Sequence, residues 1–123
     1  MIPGTTPAAP DDNGEVDPSL APLLATGTSE EVGVALLGAR LLVPVVAIKS
    51  EGDADMAVPA LVNEDGRRAL PVFSSYDALR AWRPDARPVP MSGARVMAGA
   101  RAEGYDGVVL DVAGPHPFTF AIG

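Results

Sequence analysis

The chain has no cysteine and one histidine, His116. Without thiols it can form no disulfide framework, no thiol nucleophile and no cysteine zinc site. A single histidine cannot build a histidine metal site either. The aspartates Asp53, Asp55 and Asp65 are predicted to lie in loops, but they lack calcium-loop spacing, so we interpret them as solvated acids. The sequence therefore predicts no metal and no cofactor.

Basic residues are also scarce. Nine Lys and Arg stand against sixteen Asp and Glu, which gives a net charge of −7. This balance argues against nucleic-acid binding, because most of that affinity comes from neutralising phosphates with Lys and Arg. The charge is uneven, however: residues 1–35 carry six acids and no base, whereas residues 67–123 carry seven Arg and five acids. An anion-binding face in the second half of the chain stays open.

Long apolar runs and a secretory signal are absent as well. The longest apolar run, residues 35–48, contains Arg40 and is shorter than the roughly 20 residues that a bilayer-spanning helix needs. The N-terminus has neither a basic start nor an apolar signal core. We therefore expect a soluble, cytoplasmic protein without a membrane partner.

The composition suits one small domain with an acidic tail. Hydrophobic residues make up 47% and aromatic residues only 5%, so the core must be mainly aliphatic. The abundance of Ala, with Arg far commoner than Lys, indicates a GC-rich bacterial genome. Residues 1–16 are rich in Pro, Gly and acid, which is typical of disorder. We predict a disordered tail over residues 1–16 and a single domain over residues 17–123.

Helix-capping patterns predict up to four short helices. The residues that stand where a cap is expected are Asp17, Thr28, Ser74 and Ser92. Thr28 with Glu31, and Ser74 with Asp77, match the capping box, in which a hydroxyl accepts from a backbone amide of the first turn and an acid three positions later reaches back. The helix after Ser74 should end at Arg83, because the following proline disfavours helical backbone there.

Apolar runs at residues 41–48, 56–62, 68–73, 87–91, 108–112 and 118–122 predict strands. Asp65-Gly66 is a hairpin signal, since Gly accepts the positive φ of the turn, and it favours an antiparallel meander. The predicted fold class is α+β: a mainly antiparallel sheet of about five to six strands with three to four short helices packed on it. Pro44, Pro59 and Pro71 fall in three successive predicted strands, which requires bulges or early strand ends.

Several segments together resemble the SseB family, specifically its N-terminal domain. They are LLVPVVA at residues 41–47, DGRRALPVFSSYDALRAW at 65–82, RPVP at 87–90 and GVVLDVAGP at 107–115. The resemblance covers residues 17–123 and implies a compact α+β domain. It supplies no catalytic residues to carry over. Many members of the family continue into a further C-terminal region.

Candidate catalytic residues are few. Ser74 and Ser75 stand at a strand-to-helix turn, but the G-x-S-x-G frame of a nucleophile is missing. His116 lies between two prolines in a loop, where it can be paired on paper with Asp111 but lacks a positioned nucleophile. We interpret the serines as caps and His116 as a loop residue, and we expect no enzymatic activity.

A possible partner or anion surface is formed by Arg80, Trp82, Arg83 and Arg87. Guanidinium groups beside an indole suit anion or protein recognition. Trp82 also has the spacing of a core residue, and exposed helical arginines usually only solvate a helix, so the plain structural interpretation is favoured.

The leading functional hypothesis is a non-enzymatic interaction or regulatory module. It binds another protein, or a second copy of itself, through an exposed strand edge. The alternative is a small-ligand or anion sensor that uses the arginine-containing face, and an enzyme ranks third.

Overall fold

The computed structural model describes residues 14–50 and 53–122, which form four α-helices and seven β-strands. In chain order the elements are α1 (Ala21–Thr26), α2 (Ser29–Leu37), β1 (Arg40–Ser50), β2 (Asp53–Ala57), β3 (Leu61–Val62), β4 (Arg68–Val72), α3 (Tyr76–Trp82), β5 (Arg87–Ser92), α4 (Gly93–Ala102), β6 (Gly107–Leu110) and β7 (Phe118–Ala121). The predicted α+β class is confirmed, with seven strands where about five to six were expected.

The strands form two sheets that meet at one bridge. The first sheet has the order β2-β1-β5 and the second β3-β4-β6-β7. Only β4 and β6 are parallel among the described pairs, so the predicted mainly antiparallel pairing is confirmed. Leu42 and Phe73 exchange two backbone hydrogen bonds, of 2.8 and 2.9 Å, between the sheets. Because β2 and β3 do not pair, the strands do not form the simple meander that was predicted.

Two prolines explain why the sheets meet at a single residue pair. The antiparallel register of the Leu42–Phe73 bridge places Pro44 opposite Pro71 at the next position where two residues would exchange hydrogen bonds. Neither proline has an N–H, so that pair cannot form. Both side chains are fully buried. Each central strand therefore tolerates its proline because the missing donor faces the junction between the sheets.

Two further prolines lie on the outer edge of the first sheet. The hydrogen bond from Gly93 N to Ala39 O sets the alternation along β5, so that the backbone groups of Arg87, Val89 and Met91 face β1. Pro88 and Pro90 then face outward. The outer side of β5 has no N–H at either position.

The predicted strand over residues 56–62 is wrong. β2 ends at Ala57, residues 58–60 are irregular, and β3 contains only Leu61 and Val62. Pro59 thus lies in the irregular connection, where it removes no ladder donor. Asp53 and Asp55 belong to β2, opposite Ser50 and Ile48, and not to a loop as predicted.

Both faces of β1 are buried over residues 41–44, as the apolar run predicts for that part of the strand. Leu41 and Val43 belong to the main core, which α1, α2 and α4 cover. Leu42 and Val46 belong to a smaller second core with Phe73, Leu79 and Ala86, which α3 covers. Strand β1 therefore has helices α1, α2 and α4 on one face and helix α3 on the other.

Local sequence signals place two of the four predicted helix caps correctly, Thr28 and Ser92. The Thr28–Glu31 capping box is present, with Glu31 N donating to Thr28 Oγ1 at 3.2 Å and Thr28 N donating to Glu31 Oε1 at 2.8 Å. Ser92 accepts from Arg95 N at 3.3 Å and caps α4. Asp17 does not cap α1, which begins at Ala21.

Three residues of the predicted tail contact the folded domain. Gly14 O accepts a hydrogen bond from Tyr76 N at 2.7 Å, Glu15 O accepts one from the Arg40 guanidinium, and Val16 packs against the main core. Residues 14–16 therefore form part of the described domain. Residues 1–13 lie outside the described residues, and their assignment as a disordered tail stays a prediction.

Candidate functional site

The parallel pair β4–β6 creates a groove at its carboxyl end. Ligands of open sheets with parallel strands commonly bind outside the carboxyl ends of neighbouring strands, where their loops diverge. Here the loops after β4 and β6 enclose a volume of about 420 Å³ with helices α1 and α3. We call it the strand-end groove. Its polar residues are Ser74, Ser75, Asp77, Asp111 and His116, and its walls are mostly alanines.

A buried serine–aspartate pair forms the floor of the strand-end groove. Asp111 Oδ2 accepts a hydrogen bond from Ser74 Oγ at 2.5 Å, and Asp111 Oδ1 accepts one from Ser74 N at 2.8 Å. Ser74 is 2% exposed and Asp111 is 9% exposed. Burial raises the pKa of the Asp111 carboxyl above its ordinary value, and the two hydrogen bonds from Ser74 counteract part of that rise.

Asp111 has an uncommon backbone conformation. Its φ is 55°, in the left-handed region, where aspartate is tolerated better than most residues. Its N–H donates to Val72 O at 2.9 Å, and its carbonyl accepts from Gly114 N at 2.9 Å. The Asp111 N–H and carboxylate therefore join the end of β6 to the end of β4, and its carbonyl closes the turn that follows β6.

The helix cap in this groove is Ser75, and the prediction of Ser74 is wrong. Ser75 Oγ accepts from Ala78 N at 3.1 Å. Helix α3 thus begins one residue later than the capping-box pattern indicated, and Asp77 stands at its second position instead of the third. A carboxylate in the first turn still interacts favourably with the helix dipole. Ser74 is available for Asp111 because the neighbouring serine caps the helix.

Arg40 connects the floor of the groove to the N-terminal segment. Its Nη1 donates to Ser74 O at 3.2 Å, and its backbone N donates to Asp17 Oδ2 at 3.0 Å. The backbone hydrogen bond from Arg40 and one from Ser19 hold the pKa of Asp17 below its ordinary value. The start of the domain is therefore tied to β1 and, through Arg40, to the strand-end groove.

His116 lies on the rim of the same groove, in an exposed loop. It forms no hydrogen bond or ion pair with any residue that the structure describes. A serine triad requires a histidine between the serine and the carboxylate. In this groove Ser74 Oγ donates directly to Asp111, so the three residue types share one groove without the hydrogen-bond order of a triad.

The predicted arginine–tryptophan surface is only partly assembled. Trp82 packs in the second core with its ring centroid 5.4 Å from that of Phe73. The Arg83 guanidinium carbon lies 6.0 Å from the Trp82 ring centroid, and Arg83 binds Asp85 through two hydrogen bonds of 2.8 and 3.1 Å. These bonds raise the pKa of Arg83 and lower that of Asp85.

The other two arginines of that surface have separate environments. The Arg80 guanidinium carbon lies 4.8 Å from the centroid of the Tyr76 ring, on the exposed side of α3. Arg87 is exposed at the start of β5, opposite Val45. Their use by a partner or an anion stays a prediction.

Within residues 14–50 and 53–122, no three acidic, histidine or cysteine side chains are grouped so that they could hold a metal ion. Asp65 lies in the β3–β4 turn, where Asn63 Oδ1 accepts from its backbone N at 3.0 Å. None of the described helices has the length and apolar character that crossing a bilayer requires.

Sequence reasoning missed the pairing of Ser74 with Asp111. The two residues are 37 positions apart, so no local pattern joins them. One signal was available: each polar residue directly follows a buried strand, and polar groups at neighbouring strand ends meet when the strands are parallel. The parallel pairing itself was not predicted.

Comparison with known proteins identifies one relationship. The family model described as SseB protein N-terminal domain matches residues 20–122. No curated protein and no solved structure matches the chain.

Proposed function

Because this chain belongs to the SseB family, as the match of its N-terminal domain over most of the sequence shows, we propose that it is a non-enzymatic, cytoplasmic module that binds another protein. The partner adds an extended segment to the outer edge of β7, which pairs with no strand other than β6 among the described residues. The observation that carries the proposal is a difference between two exposed strand edges of the same domain.

The edge of β5 is closed to strand addition, and the edge of β7 is open. In β5 the outward positions include Pro88 and Pro90, which cannot donate a hydrogen bond. In β7 the hydrogen bond from Ile122 N to Asp106 O sets the alternation, so that Phe118 and Phe120 face β6 while Thr119 and Ala121 face outward. Both outward residues are exposed and carry an N–H and a C=O.

The β7 edge continues into a face of the second sheet that no described helix covers. The side chains of Phe118 and Phe120 pack against the main core, whereas Thr119 and Ala121 lie on the opposite face. That face bears a shallow apolar groove of about 370 Å³, lined among others by Leu61, Ala69 and Val109.

An incoming strand has two kinds of contact available there. Its backbone can pair with Thr119 and Ala121, and its alternate side chains can lie beside the groove. Main-chain hydrogen bonds supply affinity and alternate side chains supply specificity in this mode of recognition. The proposal therefore commits to an extended protein segment as the partner.

The hydrogen bonds in the strand-end groove support a structural role for its serines and not a catalytic one. Ser74 Oγ donates to a buried carboxyl, and Ser75 Oγ accepts from the helix backbone. A nucleophilic serine needs a base to take its proton, and His116 is not hydrogen-bonded to either serine. We propose that both serines and Asp111 act through stability.

The anion-sensor alternative has weaker support on the predicted surface. Arg83 is already paired with Asp85, and Arg80 stacks on Tyr76. Among the described residues, Arg87 has no such contact with a side chain of this surface, so one of the three predicted arginines is left for an anion. We therefore place protein binding first.

The test removes one outward donor from β7 without changing its inward pairing. Thr119→Pro deletes the N–H that an added strand would use, while Thr119→Ser keeps it and is the matched control. Partners cross-linked in native lysate to the wild-type and Thr119→Ser chains should be lost from Thr119→Pro. With the purified partner, the amides of Thr119 and Ala121 should become protected from hydrogen exchange. Equal capture by a folded Thr119→Pro chain, or unchanged exchange, would exclude this edge.

A further inference from the structure

The outward edge of β7 is complementary to itself. Thr119 and Ala121 each present an N–H and a C=O outward, because the backbone groups of Phe118 and Phe120 face β6. When two copies of β7 run antiparallel with Phe120 opposite its own mate, Thr119 of one copy lies opposite Ala121 of the other. Each such pair exchanges two hydrogen bonds, so the two pairs supply four. The edge that accepts an added strand therefore also fits a second copy of the chain.

The side chains on the core face of β7 match in the same register. Phe118, Phe120 and Ile122 pack against the main core but are only partly buried. Pairing centred on Phe120 places the two Phe120 rings side by side, and each Phe118 beside the Ile122 of the other copy. Aromatic pairs and aromatic–β-branched pairs on neighbouring strands stabilise a sheet. A second copy would therefore cover apolar surface that one copy leaves partly exposed.

Helix α2 extends this apolar surface beside the β7 edge. A Cβ placed on Gly33 would lie 3.2 Å from Phe120 Cε1, so this flank of α2 faces β7. Leu37 stands one turn after Gly33 on the same flank and is 46% exposed. Val34 is 74% exposed, but it lies on the side of α2 opposite its buried residues. The flank that contains Leu37 therefore borders the edge, whereas Val34 lies away from it.

A twofold axis brings the two helices together as well as the two strands. The axis that relates antiparallel neighbours is perpendicular to the sheet, so both copies of α2 lie on the same face of the combined sheet. Their Leu37 flanks then face each other across the axis. Such a contact uses the same patch on both copies, which is the usual arrangement in symmetric dimers. The two four-stranded sheets would become one sheet of eight strands.

We infer that two copies of this chain associate through their β7 edges and the Leu37 flanks of α2. The inference rests on the β7 edge of the proposed function and adds a form of regulation to it. The dimer uses the outward donors of Thr119 and Ala121, so a partner strand must displace the second copy. Access of a partner to β7 therefore decreases as the concentration of the chain itself rises.

The size and charge of the surface predict a weak dimer. A standard interface has about 20–30 residues on each side, whereas β7 and one flank of α2 supply roughly ten. Each copy carries a net charge of −7, and Glu30 lies on the same flank of α2 as Leu37. We expect a dissociation constant of about 10–100 µM, which should fall as added salt screens the repulsion.

Sedimentation velocity of the purified full chain tests the association. The mass should rise from 12.6 kDa towards twice that value between about 1 and 500 µM. Thr119→Pro deletes an outward N–H and should raise the dissociation constant more than about tenfold, whereas Thr119→Ser should leave it unchanged. A monomer at all these concentrations, or undiminished association of a folded Thr119→Pro chain, would overturn the inference.

Two variants of α2 test the position of the helices. Leu37→Asp should raise the dissociation constant about tenfold, because it places a charge on the flank that becomes buried. Val34→Asp adds the same charge to the same helix away from the edge and should change the constant less than about twofold. Equal effects of the two substitutions would refute the proposed contact between the helices.

An isotope-filtered NOE experiment tests the register. Phe118 and Ile122 are four residues apart on one strand, about 13 Å, so a short contact between them can arise only between copies. In a mixture of ¹³C-labelled and unlabelled chains, the Ile122 methyls should show NOEs to the Phe118 ring of the other copy. An associated sample without these NOEs would exclude the β7 pairing.

Self-association and partner binding can fail independently. If the chain stays monomeric but Thr119→Pro still loses its lysate partner, the proposed function stands and the dimer is refuted. If Thr119→Pro abolishes the dimer but the wild-type chain captures no lysate partner, the dimer stands and the proposed function fails. Leu37→Asp should lose the dimer and keep the partner, because a partner strand pairs with the backbone of β7.

Discussion

Asp111 joins a buried carboxyl group, a left-handed φ of 55° and a raised pKa in one residue. Its two oxygens accept from Ser74 and its backbone holds the ends of β4 and β6 in register. Buried titratable groups in strained conformations are often functional, but here the hydrogen bonds of Asp111 join two strand ends and close the turn after β6. We therefore expect substitutions of Asp111 and of its hydrogen-bond partner Ser74 to change the stability of the domain.

The contribution of Asp111 to the free energy of unfolding should depend on pH. Since its pKa in the folded state lies above the unfolded value of about 3.8, the folded protein retains a proton that the unfolded chain has released. The stabilising contribution of the Asp111 carboxyl is fully present below pH 3.8 and is lost as the pH rises through the pKa of the folded state. In urea unfolding, the wild-type chain should therefore lose stability relative to Asp111→Asn as pH rises towards neutrality. A constant difference would contradict this.

Asp17 provides a comparison of opposite sign. Hydrogen bonds to its carboxylate lower its pKa in the folded state, so its contribution is present above the unfolded value and is lost as pH falls through the folded pKa. Asp17→Asn should be least stable, relative to the wild-type chain, near neutral pH. The same urea series therefore separates the two carboxyl groups.

Alanine substitutions of Ser74 and Ser75 should destabilise the domain for different reasons. Ser75→Ala removes a helix cap and should cost about 1 kcal/mol. Ser74→Ala removes a donor to the buried carboxyl of Asp111 and should cost about 1–3 kcal/mol. Because the Ser74 hydrogen bonds lower the pKa of Asp111, only Ser74→Ala should steepen the loss of stability with pH. Faster amide exchange at Ala78 is expected for Ser75→Ala alone.

At the scale of secondary-structure elements, the edges of β5 and β7 differ in the backbone donors that they present outward. The backbone of β5 offers no outward donor at Pro88 or Pro90, which suits an edge protected against association. The β3–β4 hairpin is set by its turn: Gly66 has φ 81°, as predicted, and Asn63 Oδ1 accepts from Asp65 N and Arg67 N. Turn and edge chemistry together determine which strands can accept a partner.

Two glycine substitutions should have opposite effects. Gly66→Ala places a side chain in the left-handed region and should destabilise the domain by about 1–2 kcal/mol. Gly99→Ala adds a methyl group to open space within a helix and should stabilise by up to about 1 kcal/mol. Denaturant melts of the two single variants provide each other's control. A neutral result for Gly66→Ala would mean that the turn relaxes into another type.

At the scale of the whole molecule, the buried Pro44–Pro71 pair divides the sheet. One hydrogen-bonded bridge joins the halves, and the described strands of the two sheets form no further pairs with each other. The N-terminal segment forms hydrogen bonds with two distant elements: Asp17 accepts from Arg40 N at the start of β1, and Gly14 O accepts from Tyr76 N at the start of α3. The domain boundary is therefore a property of these long-range contacts.

Two truncations should locate that boundary. Removal of residues 1–13 should leave the melting temperature unchanged, as their composition predicts. Removal of residues 1–16 also deletes the contacts of Gly14, Glu15 and Val16, and should lower it by roughly 3–8 °C. Equal melting temperatures for both truncations would show that residues 14–16 contribute nothing to stability.

The sequence by itself determined the features that depend on near neighbours. The Thr28–Glu31 box, the Ser92 cap, the left-handed Gly66 and the doubly buried β1 each follow from residues a few positions apart. The family and the α+β class followed from several such segments taken together. The same local reasoning misplaced the cap at Ser74, because Ser74 with Asp77 matches the capping box, whereas Ser75, which caps the helix, has Ala78 at the corresponding position.

Tertiary structure decided everything that depends on which strand lies beside which. Whether a proline disrupts a strand depends on the direction that its missing donor faces, and this is known only when the neighbour is known. The pairing of Ser74 with Asp111 required the parallel alignment of β4 and β6. Both grooves and the open β7 edge arise from the same pairings, since hydrogen bonds between strands join residues that are far apart along the chain.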